Sequence, residues 1–362
     1  MPRRVLGAAL LAIMLAGCGS DPETVDVVVV EQPQAAPSSA CAASFDPSKI
    51  ASGDDCAPKS GAYCPQGNNG LVVLQPNPIP CDGVTVSTHA VNAAGLSSDY
   101  LALHGNGSFD AIYLALHYLG ANTGTFANVA RLPELAKARR VLVIVPQAPS
   151  PPGLSLTSRW PVNPQFDPVD QYVHYLDAVV SDARERFSVG DIPVYVAGLS
   201  NGAVMAYHYA CRSGVPSAIE AVAGDISDTA FSECAPSHAV SSVIVHGTAD
   251  VVTPYEGLLG LTASIPQVHS LFRNAGGCSL DDTRTAMPKV EDPLLVTIFD
   301  SGVCGDRSRH LLVKVDGGGH TWPGHPQGET TNLSMLGLLG PRTANFDATL
   351  QGFDLLRLSA TR

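Results

Sequence analysis

From Val84 onward the chain alternates short apolar strands with helices, and this alternation constrains the fold more than any other feature of the sequence. Val84–Val91, Tyr100–His104, Ala111–His117 and Val141–Val145 read as strands. A helix is expected over Phe126–Arg139, restarted at Pro133, a residue suited to a first helical turn. Val169, Tyr172, Val173, Leu176, Val179, Val180 and Phe187 recur at helical spacing. There follow strand Val194–Ala197, helix Gly202–Cys211, strands Ala218–Ala223 and Val243–His246, helix Pro266–Ala275, strand Leu311–Val315 and a last helix near Asp347–Leu358. Such alternation implies a mainly parallel sheet with helices on both faces. The expected class is α/β, with one catalytic domain over residues 83–362. Of the chain's 362 residues, 45% are hydrophobic and 15% charged, enough to fill such a core. A net charge of −12 and the lack of any Lys/Arg run argue against a nucleic-acid partner.

The first residues read as an address. Arg3 and Arg4 precede an apolar run, Val5–Leu15, too short to span a bilayer. Leu15-Ala16-Gly17-Cys18 resembles a bacterial lipobox, which implies a signal peptide over residues 1–17 and a lipid on Cys18. Residues 18–40, poor in core-forming side chains, read as a flexible tether. Residues 41–82 read as an irregular, Cys-rich extension. The expectation is an exported lipoprotein, anchored to a membrane outside the cytoplasm, in the periplasm or at the cell surface. Apart from Cys18 the chain holds Cys41, Cys56, Cys64, Cys81, Cys211, Cys234, Cys278 and Cys304. An even number in an exported chain points to disulfides, although spacing alone does not fix their connectivity.

Gly198-Leu199-Ser200-Asn201-Gly202 fits G-x-S-x-G, in which a serine stands on a sharp turn from strand to helix. The pentapeptide is weak by itself, but here a β-branched strand precedes it and the helical run Ala203-Val204-Met205-Ala206-Tyr207 follows. Ser200 is the expected nucleophile. It needs a base, and the base needs an orienting carboxylate, in the chain order Ser, Asp or Glu, His. His320 lies in Asp316-Gly317-Gly318-Gly319-His320-Thr321-Trp322-Pro323-Gly324, after the last expected strand. Asp250, in His246-Gly247-Thr248-Ala249-Asp250, follows the strand before. Asp225 and Asp228 are the alternatives, and His246 reads as packing or holding a loop.

GLSNGAVMAY, HGTADVVTPY and GGGHTWPG together resemble the secreted α/β-hydrolase esterases grouped with polyhydroxybutyrate depolymerases, feruloyl esterases and acetylxylan esterases. The resemblance covers about residues 84–358. It implies an α/β-hydrolase fold with little or no lid, Ser200 as nucleophile, Asp250 as orienter and His320 as base. It also implies the pairs Cys211–Cys234 and Cys278–Cys304. The expected activity is ester hydrolysis through an acyl-enzyme, without metal or cofactor, on a polyester, an oligoester or a plant-wall ester. A serine peptidase, and an inactive binding lipoprotein on the same scaffold, are the rival readings. Trp160, Tyr255 and Trp322 are each expected either to wall the substrate pocket or to anchor their loops.

The tetrapeptide Leu-Ala-Leu-His occurs twice, ending at His104 and at His117. His104 continues into Gly105-Asn106-Gly107, which looks like a glycine-rich oxyanion loop. An oxyanion loop, however, must leave the sheet on the edge that carries Ser200, from a parallel strand followed by a helix. Only the second copy has that sequel. In the resembling fold the strand before it is antiparallel, which puts the His104 loop about 20 Å from the chemistry. The expected oxyanion donors are the backbone N–H groups of Leu119 and Asn201, with Tyr118 as the alternative to Leu119. The resembling family usually carries His-Gly where this chain has His117-Tyr118.

Overall fold

The computed structural model describes residue 64 and residues 76–149, 158–289, 291–324 and 339–360. These all fall in one unit, Pro37–Arg362; the other unit, Met1–Ala36, lies outside them. The expected signal peptide, Cys18, the tether and most of the Cys-rich extension are therefore outside the described residues.

In chain order the described elements are strands β1 (Thr85–Ala93), β2 (Leu96–His104) and β3 (Ala111–Leu116), helices α1 (Thr123–Val129) and α2 (Leu132–Ala138), and strand β4 (Val141–Pro146). Helix α3 (Val169–Arg186), β5 (Val194–Leu199), α4 (Asn201–Arg212), β6 (Ala218–Val222), α5 (Asp228–Glu233) and β7 (Ser241–Gly247) come next. Then follow α6 (Ile265–Ala275), β8 (Thr283–Ala286), β9 (Leu295–Val303), β10 (Arg309–Asp316) and α7 (Leu350–Ser359). The strands form one sheet in the order β1-β2-β4-β3-β5-β6-β7-β10-β9-β8. From β4 to β10 all neighbours are parallel, and antiparallel pairs close both edges. This is the α/β-hydrolase fold.

Strand β3 shows why its sequence is apolar throughout. Ile112, Leu114 and Leu116 face α3 and α4, while Ala111, Tyr113 and Ala115 face α1, α2 and α7. With no solvent face there is no polar alternation. Each large aliphatic side chain buried this way contributes about 1.5–3 kcal/mol. Helix α3 instead buries one stripe, Tyr172, Val173, Leu176, Val179 and Val180, against the sheet.

The helical stretch expected over Phe126–Arg139 with a restart at Pro133 is two helices, α1 and α2. Asn122 caps Thr125 in a capping box, so α1 starts before Phe126. Arg131 then adopts a left-handed conformation (φ 46°) that ends the run, and Pro133 opens α2. The buried Arg131 guanidinium is held there by Glu134 at 3.0 Å and Asp347 at 2.5 Å. The β8–β9 hairpin was not anticipated. Its outer strand, Thr-Arg-Thr-Ala, has no apolar alternation, because it is an edge strand that buries little.

Cys211–Cys234 and Cys278–Cys304 are bonded as the resemblance implied, and Cys64 pairs with Cys81. The first bond ties the end of α4 to the end of α5, and the second ties the loop after α6 to the end of β9. At sequence separations of 23 and 26, each contributes about 3 kcal/mol by restricting the unfolded chain. Cys41 and Cys56 lie outside the described residues. The end of the extension is fastened to α1, where Asn128 accepts the Ile79 N–H and donates to the Asn77 carbonyl.

Candidate active site

The Gly198–Gly202 turn joins β5 to α4 at the C-terminal edge of the parallel strands. Ser200 sits there at φ 55°, ψ −118°, a region that only glycine enters readily. A Cβ on Gly198 would come within 2.2 Å of the Gly202 carbonyl oxygen, and one on Gly202 within 2.0 Å of the Leu116 oxygen. Both glycines are thus required by close backbone approach, and the tight turn lifts Ser200 clear of the sheet.

The loops after β7 and β10 reach the same edge. His320 Nε2 lies 2.9 Å from Ser200 Oγ, and His320 Nδ1 lies 2.8 Å from Asp250 Oδ2. Neither Asp225 nor Asp228 bonds His320. Burial pushes the Asp250 carboxyl up, but hydrogen bonds from His246 and His320 and the Thr253 N–H outweigh it and hold the group well below the usual carboxylate range. The N–H groups of Val252 and Thr253 donate to Oδ1 at 2.8 and 2.9 Å, so the carboxylate is pinned at both oxygens.

Thr253 was not singled out in the sequence. Its hydroxyl lies 2.9 Å from Asp250 Oδ2, 3.1 Å from His320 Nδ1 and 3.1 Å from the Ala223 carbonyl oxygen. It therefore braces the Asp250–His320 contact against the end of β6. The local signal is an aspartate followed two and three residues on by the backbone it caps, a turn that brings the Thr253 side chain back over the carboxylate. His246 donates to the Thr253 carbonyl at 2.8 Å and so holds this loop, as read from the sequence.

The two Leu-Ala-Leu-His copies end on opposite edges. β2 runs antiparallel to β4, with Tyr100 opposite Pro146 and Leu103 opposite Val143, so His104 lies toward the start of the parallel strands. Its ring packs between Phe109 and Phe187. His117 follows β3 on the edge of Ser200. It is wholly buried, and burial lowers its pKa to about 4 against a smaller opposing effect of its bond to the Tyr118 carbonyl. The tautomer follows from its partners. The Ala148 N–H can only donate, so Nε2 accepts it at 3.0 Å and Nδ1 carries the proton given to the Tyr118 carbonyl at 2.8 Å.

The three aromatics take the anchoring role. Trp160 has no accessible surface, Trp322 is 2% exposed and Tyr255 8%. The Trp160 indole N–H donates to the His117 carbonyl at 3.0 Å. Trp322 donates to Thr349 at the start of α7 and packs edge-on against Phe126, which fixes the loop carrying His320. Tyr255 packs against the His246 ring. All three side chains are buried. The exposed apolar side chains on the loops that follow β3, β4 and β7 are others, among them Leu119, Val162, Phe166, Val251, Val252 and Leu259.

No protein-family model matches the chain. It is similar to the "Putative esterase NocK" of Nocardia uniformis subsp. tsuyamanensis, 28% identical over 184 residues, which are 45% of this chain and 52% of that protein. It is also similar to the "Bifunctional acetylxylan esterase/xylanase XynS20E" of Neocallimastix patriciarum, 24% identical over 213 residues, 58% of this chain and 28% of that one. The chain thus spans about half of the first relative's length and under a third of the second's. Among solved structures, an acetyl xylan esterase from Aspergillus awamori superposes with a TM-score of 0.47 at 16% identity, covering 70% of this chain and 99% of that one.

Proposed function

We propose that the protein is an exported serine carboxylic ester hydrolase, acting on a polyhydroxyalkanoate-type polyester or oligoester. The unbroken line from Ser200 Oγ through the His320 ring to Asp250 carries this reading. His320 Nε2 takes the Ser200 proton as the hydroxyl attacks an ester carbonyl, and Asp250 stabilises the imidazolium. His320 then returns the proton to the leaving alcohol. Water repeats the cycle and releases the acid. Negative charge on the carbonyl oxygen is met by the N–H groups of Leu119 and Asn201. Asn201 is the first residue of α4, so its N–H has no acceptor within the helix, and the helix N-terminus favours an anion there.

The exposed apolar side chains Leu119, Phe166, Val251 and Leu259, on the loops that follow β3, β4 and β7, support an apolar, poorly soluble acyl chain over a sugar. A plant-wall ester is the second reading, favoured by the acetylxylan esterase named among the relatives. Export is supported by the disulfides and by the lipobox-like Leu15–Cys18, with Cys18 as the lipid-bearing residue. The test is hydrolysis of p-nitrophenyl acetate, then of hydroxybutyrate oligomers, feruloyl esters and acetylated xylan. Wild-type protein is expected to cleave the first two, and Ser200→Ala neither. Turnover by Ser200→Ala equal to wild type would sink the assignment, and faster cleavage of acetylated xylan would move the substrate to the second reading.

A further inference from the structure

Leu119 lies on the loop after β3 and Asn201 at the start of α4, and no covalent link fixes the distance between their N–H groups. A buried chain of hydrogen bonds does. The Asn201 side-chain amide takes the backbone of Trp160 by both polar groups: Oδ1 accepts the Trp160 N–H at 2.7 Å, and Nδ2 donates to the Trp160 carbonyl at 3.0 Å. The Trp160 indole N–H reaches the His117 carbonyl at 3.0 Å, and the His117 ring holds the Tyr118 carbonyl. Next to it, the Gly120 N–H donates to the Ser158 carbonyl at 2.8 Å. The chain begins on the residue after Ser200 and ends on the residue before Leu119. Trp160 and His117 have no accessible surface and Asn201 is 8% exposed, so water does not compete for these bonds.

We propose that Trp160 and the Asn201 side chain are positioning residues that set the spacing and aim of the Leu119 and Asn201 N–H groups. The proposal rests on the ester-hydrolase reading and on the oxyanion assignment made with it. It also accounts for Tyr118 where the resembling family usually has glycine. Tyr118 does not need a left-handed backbone, because the turn's positive φ (77°) falls on Gly120 and the Tyr118 carbonyl is held from outside by His117. The shape of the loop comes from its neighbours.

A single oxyanion donor is worth about 10²–10³-fold in kcat, and misplacing one by an ångström costs about 10²-fold. Trp160→Phe keeps the ring and removes the indole N–H. Asn201→Ala keeps the backbone N–H and removes the amide that grips Trp160. Each is expected to lower kcat for p-nitrophenyl acetate by about 10–100-fold with KM within about twofold. Affinity for a trifluoromethyl ketone, which adds to a catalytic serine and carries the oxyanion, should fall by the same factor as kcat. The double variant should fall little below the worse single one, because both break one chain. Activity is normalised to the sites titrated by an organophosphonate, so a partly unfolded variant does not imitate the effect. Unchanged kcat in both variants would overturn the proposal. So would a raised KM with unchanged kcat, which would put Trp160 at the substrate instead. A wild-type protein that neither hydrolyses esters nor reacts with the phosphonate would overturn the functional reading itself, which is a different result.

Discussion

The two walls of the candidate site are built in different ways. One wall is the Ser200–His320–Asp250 line, in which side chains face one another across three loops. The other, on the reading proposed above, is the pair of Leu119 and Asn201 backbone N–H groups, with the hydrogen-bonded His117, Trp160 and Asn201 amide behind them. On the first wall the chemistry is in the residue types. On the second it is in the geometry, and almost any residue type could stand at Leu119.

Variants can separate the two. On the side-chain wall the expected losses are largest. Ser200→Ala should lower kcat for p-nitrophenyl acetate by about 10⁶-fold, and Asp250→Asn, which leaves His320 without its orienting carboxylate, by about 10⁴-fold. Because the Asp250 carboxyl is held below the usual range, it stays ionised through neutral and mildly acidic pH. Its contribution to stability is present above the unfolded value of 3.8 and lost as pH falls through its folded one. The melting temperatures of wild type and Asp250→Asn, measured from pH 7 downward, should therefore converge only in strong acid. On the backbone wall, Trp160→Phe and Asn201→Ala give the smaller losses described above. Equal losses on both walls would erase the distinction.

Glu220 serves as a control away from both walls. It is fully buried under α7, with the Tyr113 hydroxyl 3.2 Å from Oε2, and burial raises its pKa well above 4.5. The unfolded chain loses this proton above about pH 4.5 while the folded chain keeps it, so stability declines as pH rises. Glu220→Gln removes that decline. Its melting temperature should exceed wild type by more at pH 8 than at pH 5, with ester turnover unchanged. A gap that does not widen with pH would mean that Glu220 is not buried as a neutral acid.

The same division explains what could be read from the sequence. The strand–helix alternation gave the sheet, since β3, β4 and β5 have no solvent face and must be apolar. Chain order then singled out Ser200, Asp250 and His320, which the fold brings together. The direction of β2 separated two identical tetrapeptides that composition could not. What stayed hidden was tertiary. Trp160 looks alike in sequence whether it lines a cleft or grips a carbonyl, and only the position of His117 decides. Thr253 is one of many threonines until the turn after Asp250 folds it back. The Arg131 break needed Asp347, more than two hundred residues away.

Ser200 has a further consequence, the smallest effect of the set. Its backbone is held at φ 55°, where a side chain costs about 1–3 kcal/mol. Ser200→Gly, freed of that strain but looser when unfolded, should melt slightly higher than wild type and hydrolyse nothing. A search for durable variants that scored heat resistance alone would discard the reactive oxygen early. The protein is at its least comfortable where it is most useful.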